Sequence, residues 1–209
     1  ATTEIYTLSL HDALPILEQQ KKLRESQDRL EKEAEESIYD EIVHIIGEEV
    51  HFQRREIPDL KISIYMPETF FLFTDDVKHL VYPGANAPTH VFGGENINFQ
   101  MSFHQTEHIV PDDGMKKFMD ITADLMKAVG PRVTIIEKKV LEKEDFHIGV
   151  LQFVSRAIDM MVYNFQYYIS MEDDRLLIGG ITFPSKYKKR FFPLAKEMID
   201  SICKLKEEV

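Results

Sequence analysis

The spacing of hydrophobic positions changes several times along the chain, and each change marks an element. From Leu17 to about Ile46 charges dominate, with opposite signs four residues apart: Glu18 with Lys22, Lys21 with Glu25, Arg24 with Asp28, Glu25 with Arg29. Such pairs share one helix face and add about 0.2–0.5 kcal/mol each. The apolar positions are thin at first (Leu17, Leu23, Leu30, Ala34) and dense later (Ile38, Ile42, Ile45, Ile46). The pattern predicts a charged amphipathic helix from 17 to about 46, within a 17–50 segment, that docks by its last turns and stops at Gly47. Leu23 and Leu30 stand one heptad apart, which leaves a coiled coil open, although Ser37 breaks the series.

Beyond His51 the period shortens to two. Leu60, Ile62, Ile64 and Met66 alternate with Lys61, Ser63 and Tyr65, and Pro58 and Pro67 bracket them. Phe70–Phe73 and His79–Tyr82 read as short strands. Ile97, Phe99, Met101 and Phe103 alternate with polar residues in the clearest strand of the chain. Helical spacing returns over 112–129, with Met115, Phe118, Met119, Thr122, Leu125, Met126 and Val129 on one stripe, capped by Asp112 or Asp113 and stopped by Gly130-Pro131. Four strands follow, about 132–142, 146–155, 160–171 and 175–183, with turn residues between them. A closing helix spans about 189–206, and Pro193 lies near its first turn. Strands flanked by a few helices, without strict β-α-β alternation, predict an α+β fold: an α/β/α sandwich around a largely antiparallel sheet, preceded by the charged helix.

The first sixteen residues, ATTEIYTLSLHDALPI, need a separate account. They have no basic start, no unbroken apolar stretch and no small-residue cleavage site, so they do not resemble a secretory signal. They do match, residue for residue, one reading frame of a common short-read sequencing adapter. We read 1–16 as adapter-derived and expect natural protein from Leu17, with 17–50 as the helix and 51–209 as the domain.

The formal net charge is −11; the first sixteen residues contribute only Glu4 and Asp12 to it. An acidic chain argues against nucleic-acid binding, which needs a basic surface. Cys203 is the only cysteine, which excludes an intrachain disulfide and a cysteine zinc site. No apolar run approaches the length of a membrane span. Cytoplasmic location is the default expectation.

Candidate chemistry is sparse. His104 and His108 are four apart with Asp112 and Asp113 close behind, but on an extended strand that spacing is about 13 Å, and only a turn at Gln105-Thr106 would bring them to one metal ion. Gly93-Gly94 lacks the Lys-Ser/Thr of a phosphate loop. Cys203 has no histidine near it in sequence and reads as a small residue of the last helix. The basic run 186–190 (KYKKR) reads as solvated charge, or as a small patch for an acidic partner. No catalytic, cofactor or metal residue is expected.

The segment MMVYNFQYYIS carries more weight. One strand face holds Met161, Tyr163, Phe165, Tyr167 and Ile169, the natural core side. The other holds Met160, Val162, Asn164, Gln166 and Tyr168. Amphipathic residues there form either an adaptable contact surface or the second face of a strand covered on both sides. On the first reading Asn164, Gln166, Tyr168 and Met160 are the partner-binding candidates.

Over residues 51–206 the order is LKISIYMPETFF, then YPGANAPTHVF running into NINFQMSF, a helix, an antiparallel meander, and RLLIGGITFP followed by an amphipathic helix. This order resembles the PsbP-like superfamily and its bacterial DcrB-like members. The resemblance implies the sandwich above and a binding protein; some DcrB-like members are chaperones that cradle apolar helices of secreted effectors against the sheet. It supplies no site residues. The expected function is a non-catalytic protein-binding module of bacterial type, chaperone or immunity-like in its specific form, with a protein partner. The alternatives are an envelope-associated DcrB-like protein anchored upstream of the visible chain, and an enzyme.

Overall fold

The computed structural model describes residues 18, 21, 22, 24, 26, 35–84, 87–95, 99–129, 133–157 and 159–205. The residues read as adapter-derived lie outside this set, as do Leu17, Leu23, Leu30, Ala34, Ile97 and Gly130-Pro131. The chain divides into two compact units, 1–36 and 37–209. In the first, Glu18, Lys21, Lys22, Arg24, Ser26 and Glu35 are helical, and all but Ser26 are exposed.

The predicted helix does not run on to 46. Ile38, Val43, Ile45 and Val50 are buried in the second unit, and strands β1 (Val43–Ile45) and β2 (Glu48–Val50) form a hairpin. Its two-residue turn, Ile46-Gly47, has positive φ at both positions, 54° and 87°. That is the primed turn whose twist suits a hairpin, so Gly47 serves a turn and not a helix end. Glu197 holds the entry to this segment, accepting hydrogen bonds from Ser37 Oγ (2.9 Å) and the Ile38 amide (2.8 Å). Arg190, buried, donates from Nε to the His44 carbonyl at 2.6 Å.

Strands β3 (Phe52–Ile57) and β4 (Ile62–Pro67) pair antiparallel, and β12 (Cys203–Lys204) joins the other side of β4. Among the described residues the main sheet has seven strands in the order β5 (Phe71–Leu72), β6 (His90–Gly93), β7 (Gln100–Ile109), β11 (Arg175–Pro184), β10 (Met161–Ser170), β9 (His147–Arg156), β8 (Val133–Glu142). Every neighbouring pair is antiparallel. Between β5 and β6 lies α1 (Asp75–Val81), where a strand was expected at His79–Tyr82; Asp75 and Asp76 fill its first turn, and none of its residues is buried. Helix α2 is Met115–Val129. Helix α3, Lys188–Asp200, stops short of the predicted 206, and the chain beyond it returns to pair with Ser63 and Ile62.

The two faces of the main sheet differ. Tyr163, Phe165, Tyr167 and Ile169 of β10, with Met101, Phe103, Ile181 and Phe183, face a core closed by α3, the small sheet and the β1-β2 hairpin. Phe99 and Phe191 stack at its centre, 5.0 Å apart and 9° from parallel. Met161, assigned from the alternation to the core face, is exposed at the start of its strand. On the opposite face Met115, Met119 and Ala123 of α2 cover Leu151, Tyr168 and Leu176. Gly149 permits that approach, since a Cβ there would stand 2.6 Å from Met119 Sδ. Helices therefore lie on both faces of a largely antiparallel sheet, the α+β arrangement expected.

Candidate partner-binding groove

Helix α2 covers only part of its face. Asp120 on one flank forms an ion pair with Lys138 of the outermost strand β8. Phe118 on the other flank meets the Tyr168 ring edge-on at 5.2 Å. The helix is thus placed over β8, β9 and the adjoining ends of β10 and β11, leaving the rest of those two strands and β7 uncovered.

That remainder is the floor of an open groove of about 770 Å³. The ladder registers arrange the floor in rows across the strands. One row is Gln100, Thr182, Asn164 and Phe153; the next is Ser102, Gly180 and Gln166, running on to Leu151 beneath α2; the third is His104 and Ile178, running on to Tyr168 and Gly149 beneath α2. Gly180 makes the middle of the floor low, because a Cβ there would sit 2.9 Å from Ser102 Oγ. Tyr82 and Pro88 form the far wall. Burial pushes the Tyr82 phenol above its ordinary value, and a hydrogen bond with Ser102 opposes that rise. On the near side Ile121 and Leu125 of α2 are more than half exposed. Both lie on the Phe118 side of the helix, turned away from the Asp120 flank.

The floor carries uncharged polar side chains on a largely apolar surface. Asn164 donates to Ser155 Oγ (3.0 Å) and to the Val162 carbonyl (3.1 Å), which fixes its amide. Thr106 donates to the Leu176 carbonyl at 3.0 Å. His104 Nδ1 is buried and has no hydrogen-bond partner among the described residues. At the rim Glu107 pairs with Arg175 at 3.5 Å.

Of the four partner-binding candidates the structure brings Asn164 and Gln166 together on the floor. Tyr168, on the same strand face, is 2% exposed beneath α2, and burial pushes its phenol well above the ordinary value. It is a core residue because α2 reaches that end of β10. Met160 is exposed ahead of the strand and is not among the groove-lining residues. The covered reading holds at the Tyr168 end of this strand face, and Asn164 and Gln166 lie on its uncovered part.

His104 and His108 lie on one continuous strand with no turn at Gln105-Thr106, and no metal-holding group of three ligands occurs among the described residues. Asp112 instead bonds His147, through both its ring and its amide. Cys203 is exposed in β12. The basic run is largely engaged: Arg190 is buried, Lys186 lies over Tyr187 at 4.7 Å, and Lys188 over Tyr163 at 4.9 Å. Sequence reasoning missed Tyr82, Ser102, Gly180 and Thr182 as groove residues. For Ser102, Gly180 and Thr182 the signal was the outward half of the alternation in NINFQMSF and GGITFP.

No protein-family profile and no curated protein matches this chain. The architecture is that of a PsbP-like fold. Solved structures with it include cyanobacterial PsbP (CyanoP) from Synechocystis sp. PCC 6803, with a TM-score of 0.51 at 13% identity over 73% of this chain and 92% of that one. The Saccharomyces cerevisiae Ran-binding protein Mog1p is similar at a TM-score of 0.48 and 11% identity, over 75% and 96%. LpqN of Mycobacterium tuberculosis, involved in cell envelope biogenesis, is similar at 0.48 and 9%, over 75% and 92%. At these identities the likeness concerns the fold. Among the described residues no helix is long and apolar enough to cross a membrane.

Proposed function

We propose that this chain is a non-catalytic protein-binding module that holds a helical segment of a partner protein in the groove beside α2. The observation that carries this reading is the half-covered sheet face. Helix α2 supplies one helix of a two-helix layer and leaves Ile121 and Leu125 exposed on its Phe118 side. A helix of about 10–12 Å diameter laid there would pack against that flank, with Tyr82 and Pro88 beyond it. The uncharged floor, with Gly180 at its low point, suits close approach of such a segment. The chaperone form of the function, in which the segment is an apolar stretch shielded until handed on, agrees with the exposed apolar flank.

Site-specific photocrosslinking tests this proposal. A photoreactive residue at Gln166 or Ser102, expressed in the source organism, is expected to trap one partner that the same group at Lys189 does not. Equal trapping from all three positions, or none from the groove, would refute it.

A further inference from the structure

The core face of the sheet has a second cavity, at the β8 edge and remote from the groove. It is a slit of about 180 Å³ between β8 and the last turns of α3, lined by Lys139, Leu141, Val150, Phe165, Lys196, Glu197, Ile199 and Asp200. The walls are apolar: Leu141 from the edge strand, Val150 and Phe165 from the sheet, Ile199 from the helix. An apolar cavity of about 150 Å³ holds one benzene ring, so this one takes a body of roughly six to eight carbons.

The charges at the slit are unequal in their commitments. Asp200 is paired with Lys143 at 2.5 Å. Glu197 accepts from Ser37 and Ile38. Neighbouring Glu137 accepts from the Gln152 amide at 2.5 Å. Lys139 and Lys196 form no ion pair among the described residues; Lys196 lies 5.8 Å from the Phe192 ring. In a chain of net charge −11, two lysines without carboxylate partners at the rim of an apolar slit are a local departure from the excess of acid. The lining carries two cations, Lys139 and Lys196, and two anions, Glu197 and Asp200, both already engaged. Two cations without partners beside two engaged carboxylates fit a single negative charge and disfavour a dianion, which Glu197 would repel.

We propose that the slit binds a medium-chain carboxylate, its alkyl body between Leu141 and Ile199 and its carboxylate between Lys139 and Lys196. The site is on the opposite face from the groove and does not depend on the function proposed for it. Titration calorimetry on the full chain, with octanoate, octan-1-ol and octylammonium as probes, tests the assignment. Octanoate is expected to bind saturably and at least tenfold more tightly than octanol, with no binding of octylammonium. Lys139→Gln with Lys196→Gln is expected to weaken octanoate at least tenfold, and Leu141→Trp, which fills the slit, to abolish it. Gln166→Arg in the groove is expected to leave octanoate binding unchanged. Binding no tighter than that of octanol, indifference to the double lysine substitution, loss with Gln166→Arg, or no saturable binding would overturn the proposal. The lysine pair keeps the test decisive if Leu141→Trp does not fold.

Discussion

The ring of Tyr167 lies against the backbone of Gly179, on the strand beside its own, so closely that a Cβ at 179 would stand 1.9 Å from Tyr167 Cε2. Tyr167 is fully buried, and its hydroxyl has no hydrogen-bond partner among the described residues. Glycine here makes room for an aromatic ring in the layer between β10 and α3.

Gly179→Ala is therefore expected to destabilise the fold by about 3 kcal/mol or more, since overpacking a tight core costs about 1–3 kcal/mol and this neighbour is a rigid ring. Gly149→Ala is expected to cost less, because the neighbour there is the flexible thioether of Met119. Tyr167→Phe removes an unsatisfied buried hydroxyl and is expected to be neutral or stabilising by about 1 kcal/mol. Urea denaturation of the three variants checks the ranking.

Ile46 holds φ at 54° in the β1-β2 turn and is 44% exposed. A β-branched residue in that conformation is strained by roughly 1–2 kcal/mol, whereas asparagine is favoured there. Ile46→Asn is expected to raise stability by about 1 kcal/mol, read as a higher denaturation midpoint with an unchanged slope.

Glu197 is the acceptor that ties Ser37 and Ile38 to α3. Glu197→Ala leaves the Ile38 amide without that acceptor and is expected to cost about 1–3 kcal/mol, with faster hydrogen exchange at Ile38. Glu197→Gln keeps an acceptor oxygen and is expected to stay close to the parent protein by the same two measurements.

Burial pushes the phenols of Tyr167 and Tyr168 upward from their ordinary value. In the unfolded chain they ionise near pH 10, so above that pH the folded state holds more protons than the unfolded one. Stability is thus full below about pH 10 and falls as pH rises past it. Denaturation at pH 9 and at pH 11 is expected to show this decline, and Tyr168→Phe to lessen it.

The C-terminal meander was legible because its period-two pattern is bounded by unambiguous turns; each of its four strands lies within one residue of its expected ends. The β1-β2 hairpin was not, since Ile38, Ile42, Ile45 and Ile46 fit a helix face as well as they fit their actual places. Helix α1 was misread because its Val77, Leu80 and Val81 are exposed, so no burial pattern constrains their spacing. Strand β3 carries Gln53, Arg54, Arg55 and Glu56 and hides behind charge; Arg54 spends its guanidinium on Ser63 Oγ and the Ser201 carbonyl, at 3.0 and 3.1 Å. Alternation correctly grouped Asn164, Gln166 and Tyr168 on one face. What divides them is how far α2 reaches across the sheet, set by Gly149, Phe118 and the Asp120–Lys138 pair on separate segments.

The small sheet is completed by the last residues of the second unit: Cys203 pairs with Ser63, and the Leu205 amide donates to the Lys61 carbonyl at 2.9 Å. A ribosome must therefore release the chain through Leu205 before β4 acquires its second neighbour, and until then one of its edges lies open. A product ending near residue 200 would have every large element of the second unit yet could not close.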